Sequence, residues 1–323
     1  MPRPIHSSVI VITGASSGIG RATALEFAKH NAKLVLGARY EAALREVAED
    51  CQQLGGEVVV VRTDVTYESD IQALTRRAIE AFGRLDVWVN NAAVSVFGRF
   101  EKVPMEVFRR VMETNLFGYI YGARAALPHF RDQGNGNLIN VSSVVGVTGQ
   151  PYTIPYTISK YAIRGLSDSL RMELYLDNAS DIHVCTVLPG SIDTPIFQHA
   201  ANYTGRQVKP MTPVYPAKQV AEAIVGLVEK PQREVLVGQA AYLQTLQKTL
   251  LPEVFERMMA RQVDQDHFLD YKSVPETDGN VLESMEDYTG VSGNWLDTDG
   301  RTTSDVWDMA KQTAQKIGLP ISI

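Results

Sequence analysis

Cysteine is scarce in this chain, which has only Cys51 and Cys185 among 323 residues. The first falls in a helical pattern and the second in a strand pattern, without the spacing of a disulfide scaffold or a thiolate metal site. The six histidines are also scattered, and none shows a ligand spacing such as His-x-x-x-His. We therefore expect reduced thiols, no metal cofactor and a cytoplasmic protein.

A long hydrophobic run is also absent. No stretch approaches the ~18 apolar residues that a membrane span requires. The N-terminus contains Arg3 but lacks the apolar core of a secretion signal. We expect a soluble protein without integral membrane association, while peripheral membrane contact stays open.

Excess positive charge is missing as well. The formal net charge of −6 and the isoelectric point near 5.6 argue against a nucleic-acid partner held by phosphate contacts. From Asp264 onward there are twelve Asp or Glu against four Lys or Arg, a balance of −8, so residues 1–263 carry the other +2. Such an acidic tail is not expected to be attracted to an anionic membrane.

What the chain has is a regular alternation of short apolar runs with helical periods. Buried strands are predicted at residues 9–12, 33–37, 57–61, 87–90, 137–141, 183–188 and 234–237. Helices are predicted at residues 20–30, 41–54, 68–82, 105–130, 156–176 and 217–228. Because parallel strands need crossover connections, this alternation predicts an α/β doubly wound Rossmann fold, a seven-stranded parallel sheet with helices on both faces. We expect residues 1–240 to form this domain.

Two stretches depart from the regular pattern. Asn115 and Gly118 are poor helix formers in the middle of a predicted helix, so a break or kink is expected near Asn115. Residues 191–216 contain Gly205 and several prolines without a clear period, which indicates a functional loop such as a lid.

The C-terminal residues 241–323 are predicted to be a helical and irregular acidic extension packed on the body. One helical stretch is expected over residues 242–262, with a further short helix over residues 304–316. The first carries an apolar stripe that should be buried against a partner surface; its members are Leu243, Leu246, Leu250, Val254 and Met258.

The first predicted strand runs into a glycine-rich turn and then a helix. The turn spans residues 13–20 and has the form Gly-x-x-x-Gly-x-Gly. Glycines let the backbone approach a pyrophosphate, and a helix N-terminus offers free N–H groups to phosphates. No Gly-Lys-Ser/Thr follows, which excludes a Walker loop. Nucleotide binding is the favoured interpretation; the alternative is a turn that merely packs helix on strand.

Arg39 stands at the end of the second predicted strand, where an NAD-specific protein usually has an acidic group for the ribose hydroxyls. An arginine there favours a 2′-phosphate, so NADP(H) is expected over NAD(H). Arg21 could support the same charge. The alternative is that either arginine is simply solvated.

Tyr156 and Lys160 are four residues apart at the start of a long helical pattern, which places them on one helix face. A free phenol has a pKa of about 10, and a neighbouring cation lowers it. Tyr156 is therefore a candidate general acid or base. Taken alone, the pair also fits a surface lysine beside a half-buried ring.

Six motifs together resemble the short-chain dehydrogenase/reductase family, and the match covers residues 8 to about 238. They are the turn at residues 13–20, Asn90-Asn91-Ala92-Ala93, Asn115, Ser142-Ser143, Tyr156-x-x-x-Lys160 and Pro189-Gly190.

This resemblance implies roles for the matching residues. Tyr156 would transfer the hydroxyl proton, while Lys160 would lower its pKa and bind the nicotinamide ribose. Ser143, rather than Ser142, would hydrogen-bond the substrate oxygen, and Asn115 would stabilise the helix kink and a water path to Lys160. The catalytic set is thus Ser143, Tyr156, Lys160 and Asn115.

The resemblance also implies a set of cofactor contacts. Asn91 and Ala92 would line the cofactor, Asp64 and Val65 would meet the adenine, and Thr194 would contact the carboxamide. The full expected set is Gly14, Ser16, Ser17, Gly18, Ile19, Gly20, Arg39, Asp64, Val65, Asn91, Ala92, Tyr156, Lys160, Pro189, Gly190 and Thr194.

The expected activity is reversible hydride transfer between NADP(H) and a carbonyl or secondary alcohol. The residues predicted to line the substrate space, at 94–97, 147–153 and 191–216, carry few charges, which favours a lipophilic substrate. The family resemblance implies a homodimer or homotetramer. Two alternatives remain: a catalytically silent nucleotide-binding sensor or scaffold, and an enzyme whose extension is a membrane-surface or oligomer contact.

Overall fold

The computed structural model describes residues 4–296, and its centre is one parallel sheet of seven strands. The strand order across the sheet is β12-β7-β6-β4-β1-β2-β3, with every pairing parallel. The predicted seven-stranded doubly wound sheet is confirmed. The strands are β1 Val9–Thr13, β2 Lys33–Ala38, β3 Glu57–Arg62, β4 Val87–Asn90, β6 Gly136–Val141, β7 Ile182–Pro189 and β12 Glu234–Val237.

Helices cover both faces of this sheet. Successive side chains of a strand point to opposite faces, and β1 shows the result. Ile10 and Ile12 pack in one core with Phe27, whereas Val9 and Val11 pack in the other. The helices of the described chain are α1 Gly18–Ala28, α2 Glu41–Gln53, α3 Glu68–Phe82, α4 Met105–Met112, α5 Gly118–Gln133, α6 Val145–Thr148, α7 Ile154–Leu176, α8 Ile196–His199, α9 Ala217–Glu229, α10 Gln239–Leu250 and α11 Pro252–Asp266.

The predicted break near Asn115 is a π-helical turn. It spans Glu113–Phe117 and joins α4 to α5. Such turns occur mostly as single insertions within α-helices, frequently at functional sites. Here it brings the buried Asn115 side chain against the Val94 backbone.

The segment after β7 is more ordered than its sequence indicates. It contains short paired strands in addition to α8, so part of the predicted loop is regular structure. Elements of two or three residues are too short to produce a readable hydrophobic period. The short strands of the chain are β5 Val96–Phe97, β8 Ile192–Asp193, β9 Ala201–Asn202, β10 Arg206–Val208 and β11 Tyr215–Pro216.

The single helix expected over residues 242–262 is in fact two helices, α10 and α11. The second begins at Pro252, whose missing N–H and fixed φ suit a helix start. The apolar stripe is not buried against the body of its own chain, since its side chains are 37% to 66% exposed. The buried face of α11 instead carries Phe255, Met259 and Val263, because the break changes which side of the second helix meets the body.

The chain continues from α11 into β13 Phe268–Ser273, which pairs antiparallel with β10. Residues 274–296 then follow the surface of the body back to the sheet's carboxyl edge. The short helix predicted over residues 304–316 lies outside the described residues. Within residues 4–296, no helix has both the length and the apolar character needed to cross a membrane.

Candidate active site

A cleft of about 300 Å³ lies at the carboxyl ends of the sheet strands. Parallel α/β sheets bind ligands at this edge. Of the predicted site residues, only Gly20 and Asn115 lie outside its lining. The predicted residues that line it are Gly14, Ser16, Ser17, Gly18, Ile19, Arg39, Asp64, Val65, Asn91, Ala92, Ser143, Tyr156, Lys160, Pro189, Gly190 and Thr194.

The glycine-rich turn forms one wall of this cleft. Gly14 and Gly18 have φ of +67° and +53°, a region that side-chain-bearing residues rarely adopt. Gly20 has no such angle, but a Cβ there would lie 2.2 Å from the Gly14 carbonyl oxygen. The turn thus needs glycine at all three positions, and it presents the N-terminus of α1 to the cleft, where anions are stabilised.

Asn91 and Ala92 hold the turn from the end of β4. The Asn91 amide nitrogen donates to the carbonyl oxygens of Thr13 and Gly14 at 3.0 and 3.1 Å. The backbone N–H groups of Asn91 and Ala92 both donate to the Thr13 hydroxyl. The Asn91 side chain therefore stabilises the glycine-rich turn that forms this wall of the cleft.

Arg39 and Asp64 meet at the other end of the cleft. One Arg39 nitrogen donates to the Asn280 carbonyl oxygen at 2.6 Å. Burial lowers the pKa of Arg39, with a smaller lowering from Arg110, while the Asp64 carboxylate acts in the opposite direction. Asp64 also accepts hydrogen bonds from the backbone and hydroxyl of Thr66, which fixes its orientation. A guanidinium held this way can receive an anionic group.

Val65 lines the cleft and also packs against Gly118 at the start of α5. Its side chain lies against Gly118, where an added Cβ would be 2.9 Å from a Val65 methyl carbon. Gly118, which looked only like a poor helix former, therefore permits close packing at the start of α5.

Lys160 is fully buried beneath the cleft, one helical turn after Tyr156. Its Nζ atom donates to the Val141 carbonyl oxygen at 2.9 Å and lies 5.3 Å from the centre of the Tyr156 ring. Burial lowers the pKa of Lys160 to about 7. The predicted arrangement of the two side chains on one face of α7 is present.

Burial raises the pKa of Tyr156 to about 12, and the Ser143 hydroxyl acts in the opposite direction. The resemblance implies that Lys160 lowers the pKa of Tyr156, whereas burial acts on the phenol in the opposite direction. The reason is that desolvation disfavours both the phenolate and the ammonium ion. Ser143 is nevertheless the hydroxyl that acts on Tyr156.

Ser142 and Ser143 follow β6 and differ in their partners. Ser142 Oγ donates to the Lys160 carbonyl oxygen at 2.9 Å, which ties α7 to the sheet edge. Ser143 Oγ interacts with the Tyr156 side chain, and its backbone contacts are long, to the Pro189 carbonyl oxygen at 3.4 Å and from the Val145 N–H at 3.3 Å. Ser143 is thus the hydroxyl more available to a ligand.

Asn115 lies behind the cleft. Its carboxamide exchanges two hydrogen bonds with the Val94 backbone, at 2.8 and 2.9 Å, and reaches Ser159 Oγ at 3.3 Å. It connects the π turn, the segment after β4 and α7. Its position supports the residues that line the cleft without contacting the cleft itself.

Pro189, Gly190 and Thr194 form the wall after β7. The Gly190 N–H donates to the Val237 carbonyl oxygen at 2.9 Å, and the Pro189 carbonyl oxygen accepts the Val144 N–H at 2.9 Å. Thr194 is buried, and its carbonyl oxygen accepts the Trp295 indole N–H at 3.2 Å.

The C-terminal extension contributes residues to the cleft that the sequence patterns did not indicate. Asn280, Ser284, Met285 and Thr289 all line the cleft. They lie in an irregular segment with neither a period nor a motif, so no sequence signal identified them.

The opposite end of the cleft is mainly apolar. Its walls include Val94, Phe97 and Phe197 from the predicted substrate segments, and Met259 from α11. His267 also lines it; burial lowers the pKa of this histidine to about 4, so the ring is uncharged near neutrality. Tyr203, predicted to contribute, packs instead with Val96 and Val103 outside the lining.

The described residues contain no group of three or more His, Cys, Asp or Glu side chains arranged to hold a metal ion. Both cysteines are buried free thiols. Burial raises the pKa of Cys51 to about 12 and that of Cys185 to about 11.

Comparison with known proteins agrees with this geometry. A family model described as short chain dehydrogenase matches residues 8–204. The chain is 37% identical over 299 residues to the uncharacterized oxidoreductase YxnA of Bacillus subtilis, covering 91% of this chain and 83% of that protein. It is 35% identical over 266 residues to 11-beta-hydroxysteroid dehydrogenase 1A of Arabidopsis thaliana, covering 78% and 74%. An alcohol dehydrogenase of Thermococcus sibiricus, solved with 5-hydroxy-NADP, is similar with a TM-score of 0.62, 30% identity and coverage of 71% and 95%.

Proposed function

The chain belongs to the short-chain dehydrogenase/reductase family of oxidoreductases, and from that premise we propose that it transfers a hydride between NADP(H) and a carbonyl or secondary alcohol. The observation that carries the proposal is that Ser143, Tyr156 and Lys160 line the same cleft as the glycine-rich turn. When bound, the nicotinamide supplies the hydride chemistry. The protein supplies binding, orientation and proton transfer.

The residues of the cleft fit a dinucleotide. Gly20 lets the start of α1 pack tightly against the turn, since any Cβ at this position would collide with the Gly14 carbonyl oxygen. The N-terminus of α1 stabilises negative charge. Arg39 would bind a 2′-phosphate, which is the basis for proposing NADP(H) over NAD(H). The structure of the Thermococcus relative with an NADP derivative supports this choice.

Tyr156 is proposed as the residue that gives or takes the hydroxyl proton of the substrate. Ser143 would orient the substrate oxygen through a hydrogen bond, because its hydroxyl interacts with Tyr156 and its contact with the Pro189 carbonyl oxygen is long. Lys160 would favour the phenolate through its positive charge and bind the ribose. Asn115 is proposed to act by holding the wall of the cleft.

The substrate is proposed to be lipophilic. The end of the cleft beyond Tyr156 has mostly apolar walls, and His267 there is uncharged near neutrality. Two relatives are named 11-beta-hydroxysteroid dehydrogenases, and a steroid is a lipophilic molecule. We further propose that residues 241–323 form an extension of a single catalytic body, and that the enzyme assembles as a homodimer or homotetramer.

The test is turnover on a panel of steroid, aliphatic and polar ketones and alcohols, followed by nicotinamide absorbance, with Tyr156→Phe as the matched variant. We expect the variant to lose a factor of about 10²–10⁴ in turnover, the usual contribution of general acid–base catalysis. Its affinity for NADPH should change little. Full turnover in the variant would contradict the role of Tyr156. Nucleotide binding without turnover on any substrate would instead favour a silent sensor.

A further inference from the structure

Residues 277–295, here called the strap, cross the mouth of the cleft. The strap begins at Thr277, whose backbone exchanges hydrogen bonds with that of Asn202 at 2.7 and 3.1 Å. The Asn280 N–H then donates to the His199 carbonyl oxygen at 2.8 Å. Between them, Gly279 passes so close to the body that a Cβ would lie 2.2 Å from the same His199 oxygen. This end of the strap is firmly attached.

The middle of the strap bonds to the residues proposed to bind the dinucleotide. The Asn280 carbonyl oxygen accepts from Arg39 at 2.6 Å. Arg21 donates to the Thr289 carbonyl oxygen at 3.0 Å, and the Gly18 N–H donates to the Gly290 carbonyl oxygen at 3.0 Å. The strap therefore touches both the arginine end and the glycine-rich turn.

The far end of the strap is held by a buried carboxylate. Asp193, 3% exposed, accepts from Ser292 Oγ at 2.5 Å and from the N–H groups of Gly293 and Trp295, each at 3.0 Å. Within residues 4–296, the donors to the Asp193 carboxylate all belong to the strap. A buried carboxylate without partners is strongly unfavourable. The body is thus built to have the strap in place.

The strap lines the cleft without filling it. Its residues Asn280, Ser284, Met285 and Thr289 face the same cavity as the glycine-rich turn and Tyr156. A segment that blocked the site would instead occupy this space with its side chains. The open volume between strap and body indicates enclosure of a ligand.

The geometry points to the strap as a retaining element of the dinucleotide site: the nucleotide lies in the cleft that the strap and the glycine-rich turn both border, and it leaves only when the contacts with Asp193 open. This inference rests on the proposed function, since it takes a nicotinamide dinucleotide as the enclosed ligand. The strap also touches the substrate loop, because Trp295 packs edge-on against Phe197 and Tyr288 against His199. Retention and the shape of the substrate space are therefore linked.

The test compares the rate of NADPH dissociation from the full-length wild-type protein and Ser292→Ala, by stopped-flow fluorescence with excess NADP⁺ as the chase. Ser292→Ala removes one hydrogen bond to the carboxylate of Asp193. Ser273→Ala is the matched control, since Ser273 Oγ bonds the Gly205 carbonyl oxygen elsewhere in the extension. We expect dissociation about tenfold faster in Ser292→Ala, the usual effect of losing a hydrogen bond to a charged group, and unchanged in the control.

A second measurement uses amide hydrogen exchange of the wild-type protein. The N–H groups of Gly293 and Trp295 should exchange more slowly with NADPH bound, because exchange needs the same opening. Unchanged dissociation in Ser292→Ala, or equal acceleration in Ser273→Ala, would overturn the inference. Faster association with unchanged dissociation would also overturn it, since that result describes a blocking segment. If the wild-type protein bound no NADPH at all, the proposed function itself would fail.

Discussion

The Nζ atom of Lys160 donates a hydrogen bond to the Val141 carbonyl oxygen at 2.9 Å, and the same oxygen accepts the hydroxyl of Tyr119 at 2.9 Å. Removing the lysine nitrogen would therefore leave this buried carbonyl with a partner. Burial lowers the pKa of Lys160 to about 7, so the charged form destabilises the fold. A residue that costs stability in the core of a predicted active site is expected when function requires it.

Lys160→Met should therefore stabilise the protein while abolishing turnover. We expect a gain of about 1–4 kcal/mol near pH 7, by analogy with buried ion pairs that are replaced by apolar groups of similar volume. Above pH 7 the wild-type amine is neutral in the folded state, whereas in the unfolded state it stays charged up to a pKa of about 10.4. The unfolded state therefore binds more protons between these values, and wild-type stability increases as the pH is raised through this interval. The advantage of the variant should shrink accordingly in urea unfolding at rising pH. A variant less stable than wild type at neutral pH would contradict this reasoning.

Arg39→Gln should separate the two cofactors. The guanidinium is the group proposed to bind a 2′-phosphate. Its loss should therefore weaken the binding of NADPH by roughly 10- to 100-fold, as expected for the loss of a hydrogen bond to a charged group. NADH lacks that phosphate and should bind about as before. Fluorescence titration with both nucleotides measures the ratio. Equal weakening of NADH and NADPH would show that Arg39 acts through its bond to Asn280, not through the phosphate.

Asn115→Ala should reduce stability. The substitution leaves the Val94 N–H and carbonyl oxygen without their side-chain partners in a buried site. Each unsatisfied group costs about 1–3 kcal/mol, so we expect a loss of about 2–5 kcal/mol in urea unfolding. Thr75→Ala serves as a comparison, because Thr75 Oγ1 bonds only the carbonyl oxygen of its own helix at Ile71. A smaller loss for Asn115→Ala than for Thr75→Ala would contradict the structural role of Asn115.

His267 should make stability fall in mild acid. Burial lowers the pKa of His267 to about 4. The charge of Lys209 acts in the same direction, whereas the hydrogen bond to the Lys209 carbonyl oxygen acts in the opposite one. Between pH 4 and an unfolded pKa of about 6.5, the unfolded chain binds more protons than the folded one. Stability therefore decreases as the pH is lowered through this interval, by up to roughly 3 kcal/mol. His267→Asn keeps a donor for the Lys209 oxygen and should flatten this part of the curve. The same slope in both proteins, measured by thermal unfolding from pH 7 to 5, would exclude His267 as its source.

The sheet and the helix at residues 68–82 were predictable because buried elements have a regular pattern of apolar side chains. The apolar run of β1 is an example. The site motifs were readable for the same reason, since Tyr156 and Lys160 must share a helix face. The strap was not predictable. Its attachments are largely backbone groups, such as the carbonyl oxygens of Asn280 and Gly290, which any sequence supplies. The break between α10 and α11 was also missed, because the apolar pattern continues across Pro252 although the helix does not.

Gly20→Ala tests whether the glycine-rich turn is built for close approach. A Cβ at this position would lie 2.2 Å from the Gly14 carbonyl oxygen and 2.6 Å from the Asn91 amide nitrogen, so the turn must deform. We expect loss of NADPH binding and lower stability. Gly226→Ala is the matched control, since this glycine lies inside α9 with nothing within 4 Å of a Cβ. Alanine is the better helix former, so the control should gain up to about 1 kcal/mol with unchanged NADPH affinity. Unimpaired nucleotide binding by Gly20→Ala would mean that the nucleotide does not depend on the shape of this turn.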